Sequence, residues 1–210
     1  MKQIYALGVG HNTPVCIDLA LACGYEIAGL YHYAEGRTGE VDHGYRILGS
    51  FDDLLQEDLH GKAFLLTMGD MHVKAELTER ILAAGGEVPT LIHPTAVISA
   101  FATIDPVGVY ISPFTYVQAD STVGEGTDLL SHVNISHTTH IGRYCMLAGG
   151  THIGAYTTME DFVFVGQGVL SISAKVNRIG EGAFIGAGSL LTCEVPAGAK
   201  VVGRPAKPIE

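Results

Sequence analysis

From residue 111 to residue 165 the chain places an apolar residue at every sixth position: Ile111, Val117, Val123, Leu129, Ile135, Ile141, Leu147, Ile153, Met159 and Val165. Earlier members stand at Ile92, Ile98 and Ile104, with one extra residue before Ile111. Later members stand at Ile179, Ile185 and Leu191, after a slip in register over Ser171–Arg178. Glycine follows the apolar residue at 123, 141, 153, 165, 179 and 185. A helix repeats at 3.6 residues and a strand at two, so neither explains this spacing. A period of six fits one short strand and one turn per hexapeptide, with the apolar residue inward and a small residue allowing the corner. Three hexapeptides close a triangular coil, and stacked coils share a continuous core. Residues 89–210 are therefore expected to form an all-β parallel β-helix.

Residues 1–88 follow another pattern. Gln3–Leu7, Ile27–Tyr31 and Ala63–Thr67 read as strands; Thr13–Ala22 and His72–Ala84 read as helices, and Phe51–Leu55 as a capped turn. Strands alternating with helices imply a parallel sheet with crossovers, that is, an α/β, Rossmann-like domain. The loop Gly8-Val9-Gly10 between the first strand and the first helix can offer backbone N–H groups to a phosphate. It lacks the third glycine of the dinucleotide fingerprint, and Tyr31-His32-Tyr33 stands where an acidic residue would close the second strand, so NAD is not expected.

The formal charge of −10 argues against nucleic acid or an anionic membrane surface as partner. Cys16, Cys23, Cys145 and Cys193 lie far apart with no metal-ligand spacing, and read as reduced, partly buried thiols. The opening Met1–His11 reads as a strand, not a signal peptide, and no apolar run is long enough to cross a membrane. A cytoplasmic location is expected.

Several motifs carry a resemblance: the hexapeptide run, Leu7-Gly8-Val9-Gly10-His11, Gly69-Asp70 after the third strand, Ile92-His93-Pro94 at the domain junction, and the ending Val202-Gly203-Arg204-Pro205-Ala206-Lys207. The chain resembles the hexapeptide-repeat acyltransferases, whose β-helix is left-handed and whose subunits form trimers. More narrowly it is similar to the sialic acid O-acetyltransferase and nucleotide-aminosugar N-acetyltransferase group. The resemblance implies an acetyl-CoA-dependent transfer to an amino or hydroxyl group of a sugar or nucleotide sugar, a homotrimer, and no metal. It also places the acceptor at the first loop, over Gly8, Gly10, His11, Asn12, Gly69 and Asp70. Two departures stand out. The subgroup carries a Gly-Gly-His or Gly-His-Gly string where this chain has Gly10-His11-Asn12-Thr13-Pro14, and an acid after its catalytic histidine where this chain has Thr138.

Acetyl transfer from a thioester needs a base at the nucleophile and a donor for the thioester oxygen. His132, His137, His140 and His152 fall in one window. The subgroup's general base aligns with His137, five residues before Gly142; the plainer alternative is a histidine filling an interface. With Thr138 unable to supply charge, Asp128, Glu160 or a neighbouring subunit could provide a carboxylate. His140 is next in line as base, while His132 and His152 read as interface or surface residues. CoA carries phosphates. Every Lys and Arg of the repeat region lies at or after Arg143, and Arg178, Arg204 and Lys207 are candidates for holding them. Gly149, Gly150, Gly166, Gly168 and Gly186 could let the pantetheine arm approach the backbone, or serve only as corners.

Two other functions fit the same residues. His132 and His137 have a spacing resembling two zinc ligands of γ-class carbonic anhydrases, with His140 or His152 of a neighbour as third. A non-catalytic ligand-binding trimer is the other.

Overall fold

The computed structural model describes residues 2–209. The chain divides between Leu91 and Ile92 into two compact units.

The first unit contains β1 (Lys2–Leu7), α1 (Thr13–Ala22), β2 (Tyr25–His32), β3 (Val41–Asp42), β4 (Tyr45–Ser50), α2 (Phe51–Leu54), β5 (Phe64–Leu66) and α3 (Met71–Ala83). The sheet order is β3-β4-β2-β1-β5, and only the β3/β4 hairpin is antiparallel. Ile4, Ala6, Leu7 and Phe64–Leu66 fill its core beneath Ile17, Ala20, Leu77 and Ile81 of the helices. Local chemistry sets the helix ends. Ser50 and Asp53 form a reciprocal capping box at α2, and these hydrogen bonds hold the Asp53 carboxyl below its ordinary range. Asp70 accepts from the N–H groups of His72 and Val73 at 2.9 and 3.3 Å and starts α3. The strand β4 and its hairpin partner were not foreseen. Only Ile47 is an unmistakable inward apolar residue there, and Leu48 on the opposite face is exposed, so the alternation is too short to read.

The second unit is built of two-residue strands on three faces. The first face stacks Val97–Ile98, Tyr116–Val117, Asn134–Ile135, His152–Ile153, Leu170–Ser171 and Leu190–Leu191. The second stacks Thr103–Ile104, Thr122–Val123, His140–Ile141, Thr158–Met159 and Arg178–Ile179. The third runs through Tyr110–Ile111, Asp128–Leu129, Met146–Leu147, Phe164–Val165, Phe184–Ile185 and Lys200–Val202, where Lys207–Pro208 folds back antiparallel. Pairing is otherwise parallel, and Tyr116 to Asn134 to His152 sets one coil at 18 residues, the difference between partners. The ten period-six residues all lie in one buried core, as the spacing predicted.

A second inward position, two residues before each of these, escaped the sequence reading because it is often polar. Thr115, Ser121, Thr127, Thr139, Thr151 and Thr157 are buried there. Their hydroxyls donate to backbone carbonyls about one coil on: Thr115 to Leu130 at 2.9 Å, Thr127 to Gly142 at 2.8 Å, Thr151 to Gly166 at 3.0 Å. The ladder satisfies corner carbonyls that the two-residue strands leave unpaired. The register slip is a two-residue insertion, since strands beginning at 170 and 178 are 8 apart instead of 6. The Lys175 and Val176 N–H groups both donate to the Ile172 carbonyl at 3.2 Å, and Val176 turns into the core.

Candidate active site

The corner between the first and second faces takes a positive φ in four successive coils. Asp120, Thr138, Tyr156 and Ala174 occupy it, at φ between 56° and 65°. A β-branched residue is the least suited of these to such a backbone. His137 precedes Thr138 and projects, exposed, from this corner. Its Nδ1 lies 3.2 Å from Thr138 Oγ1, its backbone N–H donates to Gln118 Oε1 at 3.3 Å, and Tyr156 meets the ring edge-on at 5.2 Å. Gln118 Nε2 in turn donates to Asn134 Oδ1 at 3.1 Å, tying the corner to the first face. In the tautomer whose Nδ1–H donates to the Thr138 hydroxyl, Nε2 keeps its lone pair for a proton. Gln118 and Asn134 were missed in the sequence; only the coil period, which places Gln118 one turn below Ser136–His137, could have suggested them.

The other histidines are separate. His140 lies on the second face with Nδ1 3.1 Å from Thr122 Oγ1, beside a cleft shared with Glu160, Asp161 and Glu181. His132 stands at the corner between the third and first faces, stacked on Phe114. His152 is exposed on the first face. Among the described residues no group of three His, Cys, Asp or Glu side chains could hold a metal ion, and His132 and His137 stand at different corners.

The candidate glycines converge. Gly149, Gly150, Gly166, Gly168 and Gly186 lie at the corner between the third and first faces, whose successive coils are joined by Gly150 N–H to Ser131 O and Gly168 N–H to Gly149 O. Packing alone requires Gly166, where an added Cβ would come 2.5 Å from the Ala187 nitrogen. Arg204 lies against the same corner, its Nη1 donating to Gly188 O at 3.4 Å. Lys207 is exposed on the closing strand. Arg178 stands apart, on the second face, in a two-pronged pair with Glu160 at 2.7 and 3.1 Å. That pair, with the Glu181 N–H donating to the same carboxylate, holds Glu160 below the ordinary carboxylate range.

In the first unit the carboxyl ends of β1, β2 and β5 open on a cleft of about 740 Å³. Gly8, Gly10, His11, Asn12 and Gly69 line it; Asp70 does not, being engaged as the cap of α3. Gly8 has φ +110°, and a Cβ on it would meet Thr67 Oγ1 at 2.5 Å, so glycine is required. Thr13 Oγ1 braces the loop, accepting from Gly10 N–H and donating to Gly8 O at 2.9 and 3.1 Å. The N–H groups of Val9, His11 and Asn12 donate to no other described residue and stand before the N-terminus of α1, where an anion is favoured. Sequence reasoning missed Tyr33, Phe51, Glu76 and Arg80, which line the rest of the cleft from elements far apart in the chain.

No protein-family model matches the chain. A stretch of 90 residues, 43% of the chain, is 40% identical to UDP-3-O-acylglucosamine N-acyltransferase of Methylorubrum extorquens (strain PA1). It spans 25% of that relative's length. Over 188 residues, 88% of this chain and 84% of the relative, the chain is 29% identical to GDP-perosamine N-acetyltransferase of Escherichia coli O157:H7. The structure of PerB from Caulobacter crescentus, solved with CoA and GDP-perosamine, superposes with a TM-score of 0.90 at 22% identity, covering 99% of this chain and 97% of that one. The acetyltransferase domain of PglB from Neisseria gonorrhoeae FA1090 superposes with a TM-score of 0.77 at 25% identity over 100% of both chains. The relatives and solved structures that the chain resembles in sequence and fold are acyltransferases. Within that group, its likeness to nucleotide-sugar N-acetyltransferases runs through both units.

Proposed function

We propose that this chain is an acetyl-CoA-dependent acetyltransferase acting on the amino group of a nucleotide-linked sugar, with His137 as general base. The observation that carries the reading is the imidazole of His137, exposed on a corner with Nδ1 at the Thr138 hydroxyl and Nε2 left for the acceptor. The whole-length likeness to GDP-perosamine N-acetyltransferases supports it. The acceptor nitrogen attacks the thioester carbonyl, Nε2 takes the amine proton as the C–N bond forms, and the C–S bond breaks to release CoA. Thr138 orients the imidazole, and His140 is the reserve base.

The CoA donor lies along the bare backbone of Gly149, Gly150, Gly166, Gly168 and Gly186, with Arg204 and Lys207 toward its phosphates; Arg178 contributes charge from the second face. The first unit, residues 1–88, is a Rossmann-like domain whose cleft binds the acceptor's nucleotide through Gly8, Gly10, His11, Asn12 and Gly69, with Asp70 holding α3 in place. Residues 89–210 form a left-handed β-helix that works as a homotrimer. Dependence on acetyl-CoA puts the enzyme in the cytoplasm; no helix among the described residues is long and apolar enough to cross a membrane. The test is release of CoA thiol from acetyl-CoA in the presence of nucleotide-linked amino sugars. Acetyl-CoA binding with no turnover on any of them would favour a ligand-binding trimer instead.

A further inference from the structure

The cleft of the first unit has two chemically different ends. At one end lie the amides of Val9, His11 and Asn12. At the other, Glu76 and Arg80 stand one turn apart on α3, 3.4 Å from each other, with Arg80 also 3.9 Å from Asp52 at the start of α2. The lining also includes the apolar Val9, Met68, Val73 and Leu77, and Phe51, whose neighbour Asp52 is the residue paired with Arg80. Arg80 is the one Lys or Arg among the lining residues. Tyr33, at the end of β2, is 77% exposed beside the same cleft. Such a site suits a ligand anionic at one end and flat at the other, with a hydrogen-bonding edge.

We propose that Glu76 and Arg80 read the base of the nucleotide, and that the base is guanine. This rests on the reading of the cleft as a nucleotide site. A carboxylate only accepts and a guanidinium only donates. Guanine presents two adjacent donors, N1–H and the N2 amino group, that fill both carboxylate oxygens, and beside them the acceptor O6 for Arg80. Uracil offers one N–H flanked by two carbonyls, so a carboxylate facing it meets an oxygen lone pair. Adenine offers a single amino donor beside a ring acceptor. Phe51 and Tyr33 supply faces on which a purine can stack.

The experiment is calorimetric titration of the full chain with GDP, IDP, which lacks the N2 amino group, and UDP. GDP is expected to bind about tenfold or more tightly than UDP, with IDP between, because hydrogen bonds to a charged partner are lost in turn. Glu76→Gln should collapse the GDP-to-UDP ratio toward one, while Glu79→Gln, on the exposed side of α3, should leave it unchanged. Melting curves of both variants check that α3 still folds. Equal affinities for GDP and UDP in the wild type, or an unaltered ratio in a folded Glu76→Gln, overturn the guanine assignment and leave the nucleotide reading standing. No binding of any nucleoside diphosphate overturns the nucleotide reading as well.

Discussion

Thr138 holds its hydroxyl 3.2 Å from Nδ1 of His137, from a backbone turned to φ +56°. The neutral hydroxyl, donor and acceptor alike, can orient the imidazole but can neither select one tautomer nor stabilise the imidazolium as a carboxylate would. The corner itself imposes the positive φ, since Asp120 and Tyr156 share it one coil below and above. What is particular to Thr138 is that a side chain ill-suited to that backbone is the one bonded to His137.

His137→Ala is expected to lower kcat by about 10²–10⁴-fold, the usual contribution of general-base catalysis, with little change in acetyl-CoA affinity. Steady-state kinetics and a separate binding titration check both halves. Thr138→Val should lower kcat and Thr138→Ser should restore it. In Thr138→Asp the ascending limb of kcat against pH should move to higher pH, because a carboxylate favours the protonated ring. Full turnover by His137→Ala would transfer the role to His140.

The two arginines picked as phosphate ligands are separated, so their replacements should differ. Arg204→Glu puts a negative charge at the glycine-lined corner and should weaken acetyl-CoA binding and its salt dependence with the fold intact. Arg178→Glu sets two carboxylates against each other at Glu160 and should lower the melting temperature, with only the smaller loss of acetyl-CoA affinity expected of a charge on the second face. Equal losses of acetyl-CoA affinity in the two variants would show that the phosphates reach the second face.

The buried hydroxyl ladder predicts a cost out of proportion to its small side chains. Thr139 donates to the Gly154 carbonyl at 3.1 Å and is fully buried. Thr139→Val keeps the shape but removes that donor, so that Gly154 O and Val176 O must share the single proton of Thr157, at about 1–3 kcal/mol. For a chain of this size that is about 2–4 °C of melting temperature per kcal/mol. Thr103→Val, on an exposed outward position, should change stability by less than about 0.5 kcal/mol. Equal melting temperatures would remove the ladder's energetic role.

The coil was legible because its core repeats: Ile135, Ile141 and Leu147 announce their burial by spacing alone. The second inward position was not, because threonine reads as surface unless the carbonyl it meets is known. His137 was singled out by its alignment with the subgroup's general base, whereas its neighbours Gln118 and Tyr156 lie 19 residues away on either side, a distance that only the coil's rise converts into contact. The glycines of the loop after β1 carried their own conformational signal, while Glu76 and Arg80 look like any charged helix face until α3 is seen to wall the cleft. Arg178 and Arg204 were grouped because both lie late in the chain, and sequence order cannot tell one face of a triangular coil from another.

Cys145 offers a test of the coil's solidity. It occupies the same inward position as the ladder threonines, with its thiol donating to Glu160 O at 3.1 Å, and burial pushes that thiol up to about 12. The exposed Cys193 should react with a thiol reagent at once in the native protein, and Cys145 only after denaturant opens the coil. The raised thiol also sets a sign for alkaline stability. An acid whose folded pKa exceeds its unfolded one, about 8.5 for a cysteine, contributes stability that is complete below the unfolded value and is lost as pH climbs through the folded one. Denaturant midpoints should therefore fall between about pH 9 and pH 12, and Cys145→Ser should fall less steeply over that window than the wild type. Parallel slopes for the two proteins, or fast labelling of Cys145 in the native state, would mean that the corner at Gly142–Cys145 opens to water.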